Sequence, residues 1–220
     1  LVVPDDLRGW IVSFVHDRPA GVHFGSSRVS PLLRWRLYFP NMDRYVRDYI
    51  ATCDRCQKAK ATRQLNTGHL NSKGVDEPGM LSVDLQGPFP TASNGKNTIL
   101  TLKDIFLGLV VLIPLTAGEG GAGAAACVDA IMERWVPYFG LPRIILSDQG
   151  PQFEAEMFQH FCKRLGVKKF RTSTYHPETN SDAERQQGFH TPLLKALTDN
   201  NPRGWPTLLP YLQFSINSSP

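Results

Sequence analysis

Two groups of residues in this 220-residue chain could do chemistry by their type and spacing. The first is His16-x6-His23-x29-Cys53-x2-Cys56. Neutral imidazoles and thiolates are the donors tetrahedral Zn²⁺ prefers, and a segment this short buries too little core to stand without a metal. The second group is three carboxylates, Asp84, Asp148 and Glu184, the last two separated by 35 residues. Acids brought close together repel and raise one another's pKa, so their meeting calls for positive charge, which a pair of divalent cations supplies. Simpler readings stand beside these. The histidines could be surface residues preceding a redox-active or buried CxxC, Asp148 could only shape the turn at Gln149-Gly150, and Glu184 could only favour the first turn of a helix.

The elements that must position these groups follow from periodicity. A helix is expected over residues 4–16, with Leu7, Ile11, Phe14 and Val15 at helical spacing, and it delivers His16. A polar turn leads to His23, a second helix to 27–37, and a third from Asn41 or Met42 to near Cys53. Lys58, Lys60 and Arg63 come next, and Gly68 to Gly79 has the polar, Gly- and Pro-bearing character of a linker. Strands are expected at 80–85, 98–102 and 107–115, with the hairpin signal Asn94-Gly95 between the first two. A Gly-rich loop at 118–123 lacks the Gly-Lys-Ser/Thr ending of a phosphate cradle and reads as a connection to a helix at 124–138. A fourth strand (143–147) ends at Asp148, followed by a helix (154–165) with Cys162 in its core side, a fifth strand (167–172), a loop (173–181), a helix from Asp182 that contains Glu184, and a last helix at 205–216. Antiparallel strands followed by alternating helix and strand make this α/β, with a mixed five-stranded sheet and helices on both faces. The domains expected are a small helical metal-binding one at 1–64, a linker at 65–79 and the α/β part at 80–220. His69, His160 and His190 have no comparable partners and read as ordinary exposed or core histidines.

Composition narrows the class. The chain is 41% hydrophobic and 20% charged with net charge +4, and no run of about 18 apolar residues argues for a membrane span. Residues 1–75 hold 12 Lys/Arg against 6 Asp/Glu, while 76–220 hold 12 against 14. The basic part is therefore the expected phosphate anchor and the acidic part the expected binder of hard cations. Four cysteines in a chain with no signal-peptide pattern argue against a disulfide framework, and the non-Met first residue points to a fragment or a processed piece of a polyprotein.

The words around the acids are specific. Gly140-Leu141-Pro142, Ser147-Asp148-Gln149-Gly150-Pro151-Gln152-Phe153, Tyr175-His176-Pro177, and Trp205 to Leu209-Pro210 with Asn217-Ser218-Ser219 occur in this order, behind the His-His-Cys-Cys pattern. Together they resemble the DDE integrases of retroviruses and retrotransposons, in particular those of gypsy-type LTR retrotransposons, across nearly the whole chain. The resemblance implies a ribonuclease H-like core behind an HHCC zinc domain. It also implies metal-dependent 3′-end processing of element DNA and strand transfer into target DNA, by a polynucleotidyl transferase that acts as a homo-oligomer on double-stranded DNA, away from membranes. The expected location is the nucleus, or a virus-like particle in the cytoplasm before import. Asp84 would bridge two Mg²⁺ or Mn²⁺ ions, with Asp148 and Glu184 completing one shell each, and His16, His23, Cys53 and Cys56 would hold Zn²⁺. DNA contact is expected from Gln149, Gln152, Tyr175 and His176, with positive charge from Lys163, Lys168, Lys169 and Arg171. The C-terminal DNA- or chromatin-binding domain usual in the family is expected to be absent.

The chain also departs from that pattern. Ser181-Asp182 stands where Gly-Gln is usual, Gln187 and Gly188 where Asn and Arg follow the glutamate, and Asp104-Ile105-Phe106-Leu107-Gly108 where a Thr-Lys pair is usual. Pro192 falls inside the expected Glu184 helix and Pro31 inside the second helix, where proline removes a backbone donor. None of these removes a metal ligand. They imply a divergent copy with weakened strand transfer, and they keep open a domesticated, non-catalytic nucleic-acid-binding derivative. A transposase or a ribonuclease H is a further alternative, which the histidine and cysteine pairs disfavour.

Overall fold

Leu81, Val83 and Leu85 alternate with Ser82, Asp84 and Gln86, a period of two that makes a strand with one apolar face. In the computed structural model, which describes residues 1–18, 21, 23–59, 78–117, 123–171 and 202–218, that strand is the centre of a five-stranded sheet. β1 (Met80–Gln86) is flanked on one side by β2 (Thr98–Asp104) and then β3 (Val110–Leu115), both antiparallel to their neighbours. On its other side lie β4 (Ile144–Ser147) and then β5 (Lys168–Arg171), both parallel, so the order is β3-β2-β1-β4-β5. This is the mixed, ribonuclease H-like arrangement expected.

One face of the sheet carries Leu81, Val83, Leu100, Leu102, Ile113, Leu115 and Ile145. It packs against Cys127, Ala130 and Ile131 of α5 (Ala124–Arg134), Phe153 of α7 (Pro151–Glu154), and Phe158 and Cys162 of α8 (Glu156–Arg164), so Cys162 is core as expected. The helix expected from Asp182, and Pro192 within it, lie outside the described residues. No described helix is long and apolar enough to cross a membrane.

Several boundaries differ from expectation, the second helix ending at Arg34 rather than at residue 37 among them. The helix at 124–138 breaks at Trp135 into α5 and a single turn, α6 (Val136–Phe139), where Pro137 lacks the N–H that would continue the ladder. The helix after Asp148 begins earlier, at Pro151, and is interrupted at Ala155, whose ψ of 142° is extended. β3 starts at Val110 because the preceding residues turn: Asp104 Oδ1 accepts the Leu107 N–H at 2.7 Å, and Gly108 takes a φ of +70°.

Contacts divide the chain into two units. Residues 78–171 belong to one, and residues 1–59 with 202–218 to the other. In the latter, α1 (Asp5–His16), α2 (Ser26–Arg34) and α3 (Met42–Ala51) bury Val12, Val29, Leu33, Met42, Val46 and Ile50, with Phe39 fully enclosed. α2 continues through Pro31, the sixth of its nine residues, which gives up the one ladder bond its nitrogen cannot donate. A fourth helix not foreseen, α4 (Asp54–Ala59), follows α3 and carries Cys56; its Lys58 pairs with Asp54 at 2.7 Å. The last helix, α9 (Trp205–Ser218), buries Trp205, Leu209 and Leu212.

Candidate metal and nucleic-acid sites

α1 ends at His16, the loop after it returns His23, and the break between α3 and α4 supplies Cys53, with Cys56 one turn further on. These four residues converge: one donor atom from each lies within 4.8 Å of all the others. His16 and His23 are 0% and 2% exposed and Cys56 4%. His16 Nε2 is 3.3 Å from His23 Nδ1 and 3.5 Å from Cys56 Sγ, and Cys53 Sγ is 3.4 Å from His23 Nδ1. A tetrahedron with arms of about 2.0–2.3 Å has edges of roughly 3.3–3.8 Å, so these spacings fit Zn²⁺ at the centre.

The surroundings fix the donors. His16 Nδ1 lies 3.0 Å from the Phe24 carbonyl oxygen. Because a carbonyl only accepts, Nδ1 carries the proton and Nε2 presents its lone pair. His23 sits at a φ of +49°, a left-handed conformation that costs a non-glycine residue about 1–2 kcal/mol. The His23 N–H donates to the His16 carbonyl at 3.1 Å, which holds it there. A Cβ on Gly21 would meet the Val15 carbonyl oxygen at 2.0 Å, so only glycine lets the loop pass this closely. Behind the cluster, burial and the neighbouring Asp17 push the Tyr49 hydroxyl up to about 12, and that hydroxyl donates to Asp17 Oδ2 at 2.6 Å.

In the other unit the sheet register bears on two of the three acids. β1 and β4 pair in parallel from Met80 opposite Ile144 to Val83 opposite Ser147. One step further along the same register sets Asp84 beside Asp148. Neighbouring strands run about 4.8 Å apart; Asp84 is the fifth of the seven residues of β1 and Asp148 follows the last residue of β4, toward the C-terminal edge of the parallel pair, where ligands bind in α/β sheets. Asp84 is half-buried and Asp148 exposed. Asp84 Oδ2 accepts from Gln86 Nε2 at 3.2 Å, and Asp148 Oδ1 accepts from the Gly150 N–H at 3.0 Å. Carboxylate oxygens are hard donors of the kind Mg²⁺ and Mn²⁺ take. Glu184 lies outside the described residues.

Of the residues expected at DNA, Gln149 is exposed in the loop after Asp148, Gln152 is half-buried on α7, Lys163 is exposed on α8, and Lys168 is exposed at the start of β5. Tyr175 and His176 lie outside the described residues. Lys169 and Arg171 both hold Glu154, a residue not singled out in the sequence. Lys169 Nζ reaches Glu154 Oε1 at 2.7 Å, and the Arg171 guanidinium grips both carboxylate oxygens. Arg171 and then Lys169 hold the Glu154 carboxyl down to about 2, and the Lys169 side chain is only 13% exposed. Their partner comes from 15 and 17 residues away, a separation at which no local pattern reveals it. His160 is exposed and 3.4 Å from Glu156, as an ordinary surface histidine.

The described residues thus hold a His₂Cys₂ cluster in a helical unit and a mixed five-stranded, ribonuclease H-like sheet. Residues 3–62 match the family model described as the integrase zinc binding domain, and this segment belongs to that family. Over nearly its whole length the chain is similar to integrase-like proteins and Pol polyproteins. It is 27% identical over 202 residues, 92% of its length and 39% of the relative's, to Gypsy retrotransposon integrase-like protein 1 of Bos taurus. It is 25% identical over 211 residues, 95% of its length and 17% of the relative's, to the Retrovirus-related Pol polyprotein from transposon 412 of Drosophila melanogaster. The chain thus spans about two-fifths of the first relative and a sixth of the second. Among solved structures, a chain of a simian T-cell lymphotropic virus intasome in complex with PP2A regulatory subunit B56 gamma shares the fold. Its TM-score is 0.60 at 17% identity, covering 92% of this chain and 67% of that one.

Proposed function

We propose that this chain is the zinc-binding and catalytic part of a gypsy-type LTR retrotransposon integrase, a metal-dependent polynucleotidyl transferase that trims element DNA ends and joins them to target DNA in the nucleus. The observation that supports this reading is the β1–β4 register, whose last pair, Val83 opposite Ser147, stands one residue before Asp84 and Asp148. A pair of divalent cations bound there, with Glu184 as third acid, would neutralise the phosphate and activate the attacking oxygen. The chain's own part is to hold two carboxylates on rigid strand ends and to aim the loop at 149–152 toward the scissile strand. The Gly150 N–H fixes Asp148, and Phe153, fully buried, anchors α7 behind that loop. Exposed Gln149, Lys163 and Lys168 supply hydrogen bonds and charge for the DNA backbone, and the His₂Cys₂ unit holds structural Zn²⁺. Action as a homo-oligomer is part of the same proposal.

The test is nicking of a labelled duplex ending in CA, with Mn²⁺ and zinc-loaded protein, by the wild type and Asp148→Asn. Metal-dependent nicking lost in the variant supports the reading. Equal nicking by both overturns it, and DNA binding without nicking by either points to a non-catalytic, integrase-derived DNA-binding protein.

A further inference from the structure

Asp84 is not the only polar group on its part of the sheet. In the β1–β2 register it stands directly opposite Thr101, and opposite residues of an antiparallel pair project from the same face with Cβ atoms about 4.5–5.5 Å apart. Gln86, two residues along the strand, shares that face and donates from Nε2 to Asp84 Oδ2. Ile99, opposite Gln86, and Leu112, opposite Thr101, are apolar and buried. Thr101 itself is 5% exposed, and its hydroxyl oxygen is enclosed with no hydrogen-bond partner among the described residues. A hydroxyl in such a place destabilises the fold unless something uses it, and valine would fill the same space without that cost.

We infer that the Thr101 hydroxyl and the Gln86 carboxamide are positioning groups for Asp84, holding its carboxylate for a divalent cation. A carboxylate bound to a metal needs its rotation about the Cβ–Cγ bond fixed, and outer hydrogen-bond donors do this. Gln86 constrains one oxygen from along the strand. Thr101 stands opposite Asp84 on the neighbouring strand, and its enclosed hydroxyl, with no partner among the described residues, is a rotatable donor on that side. Neither residue touches substrate; both act through Asp84. The inference rests on the metal-site reading above and adds to it the groups that orient the first acid.

The experiment is Mn²⁺ titration of the zinc-loaded full chain, with free Mn²⁺ followed by electron paramagnetic resonance and folding by thermal melting. The proteins are wild type, Asp84→Asn, Thr101→Val, Thr101→Ser and Gln86→Met. Loss of an outer-shell partner weakens metal binding by about 10- to 100-fold, so Thr101→Val and Gln86→Met should bind at least tenfold more weakly, with Thr101→Ser near wild type. The Thr101→Val melting temperature should be unchanged or higher. If wild type binds Mn²⁺ through Asp84 while Thr101→Val and Gln86→Met bind within twofold of it, the positioning role is overturned and the metal site stands. If wild type binds no better than Asp84→Asn, the metal-site reading itself falls, and the inference with it. Should Thr101→Val melt early, Gln86→Met decides by the same criterion.

Discussion

Removing zinc should unfold the helical unit and leave the sheet intact. Three of the four ligands are all but inaccessible, and the lone-pair nitrogen of His16 faces His23 Nδ1 at 3.3 Å. Without a cation, that contact requires one ring to supply a proton in a pocket that excludes water. A native unit of this size, metal included, has a net stability of roughly 3–9 kcal/mol, at about 0.05–0.15 kcal/mol per residue. Structural Zn²⁺ contributes an apparent ~10–16 kcal/mol at neutral pH, so the metal-free unit should lie on the unfolded side. Hydrogen exchange read by mass spectrometry, with and without a zinc chelator, tests this element by element. Peptides from α1 and α3 should lose protection by orders of magnitude, while those from β1 and β2 keep theirs. Cys56→Ser should behave as the chelated protein does. Protection of α1 and α3 that survives full zinc removal would refute the argument, because packing of Val12, Val29, Phe39 and Val46 would then suffice alone.

Other expectations follow from single contacts. Gly21→Ala should weaken zinc retention in a chelator competition, since the added methyl has the Val15 carbonyl in its way. Phe153→Ala should cost about 3–5 kcal/mol in denaturant unfolding of the sheet unit, as for other fully buried aromatics. Glu154 has its folded pKa depressed to about 2 from an ordinary 4.5, so its contribution is complete above pH 4.5 and is lost as pH falls toward 2. Glu154→Gln should therefore flatten the acid unfolding curve of that unit between these values. The same variant frees Lys169 and Arg171, so nonspecific DNA affinity should rise and fall more steeply with salt.

Much of this arrangement was legible in the chain because the governing patterns are local. The alternation around Asp84 and the apolar run before Asp148 mark strands, and the histidine and cysteine spacing marks a metal site, whatever lies elsewhere. The features that were not legible depend on distant partners. Cys56 rides on α4, six residues with no apolar stripe to announce them. Ala155 breaks the helix after Asp148 without Gly or Pro, at the point where Glu154 reaches across to β5. The register that pairs β1 with β4 joins residues 64 apart, as Val83 with Ser147, and Thr101 gains its meaning only from standing opposite Asp84. Alternation shows that a residue faces one side of a sheet; it does not say which residue of which strand lies beside it.

The most direct measurement is anomalous X-ray scattering from a crystal of the zinc-loaded protein soaked in Mn²⁺. The account requires a manganese peak with carboxylate oxygens of both Asp84 and Asp148 in its coordination shell, absent from the Asp148→Asn variant. Manganese bound elsewhere, or held by neither acid at saturating concentration, would contradict it.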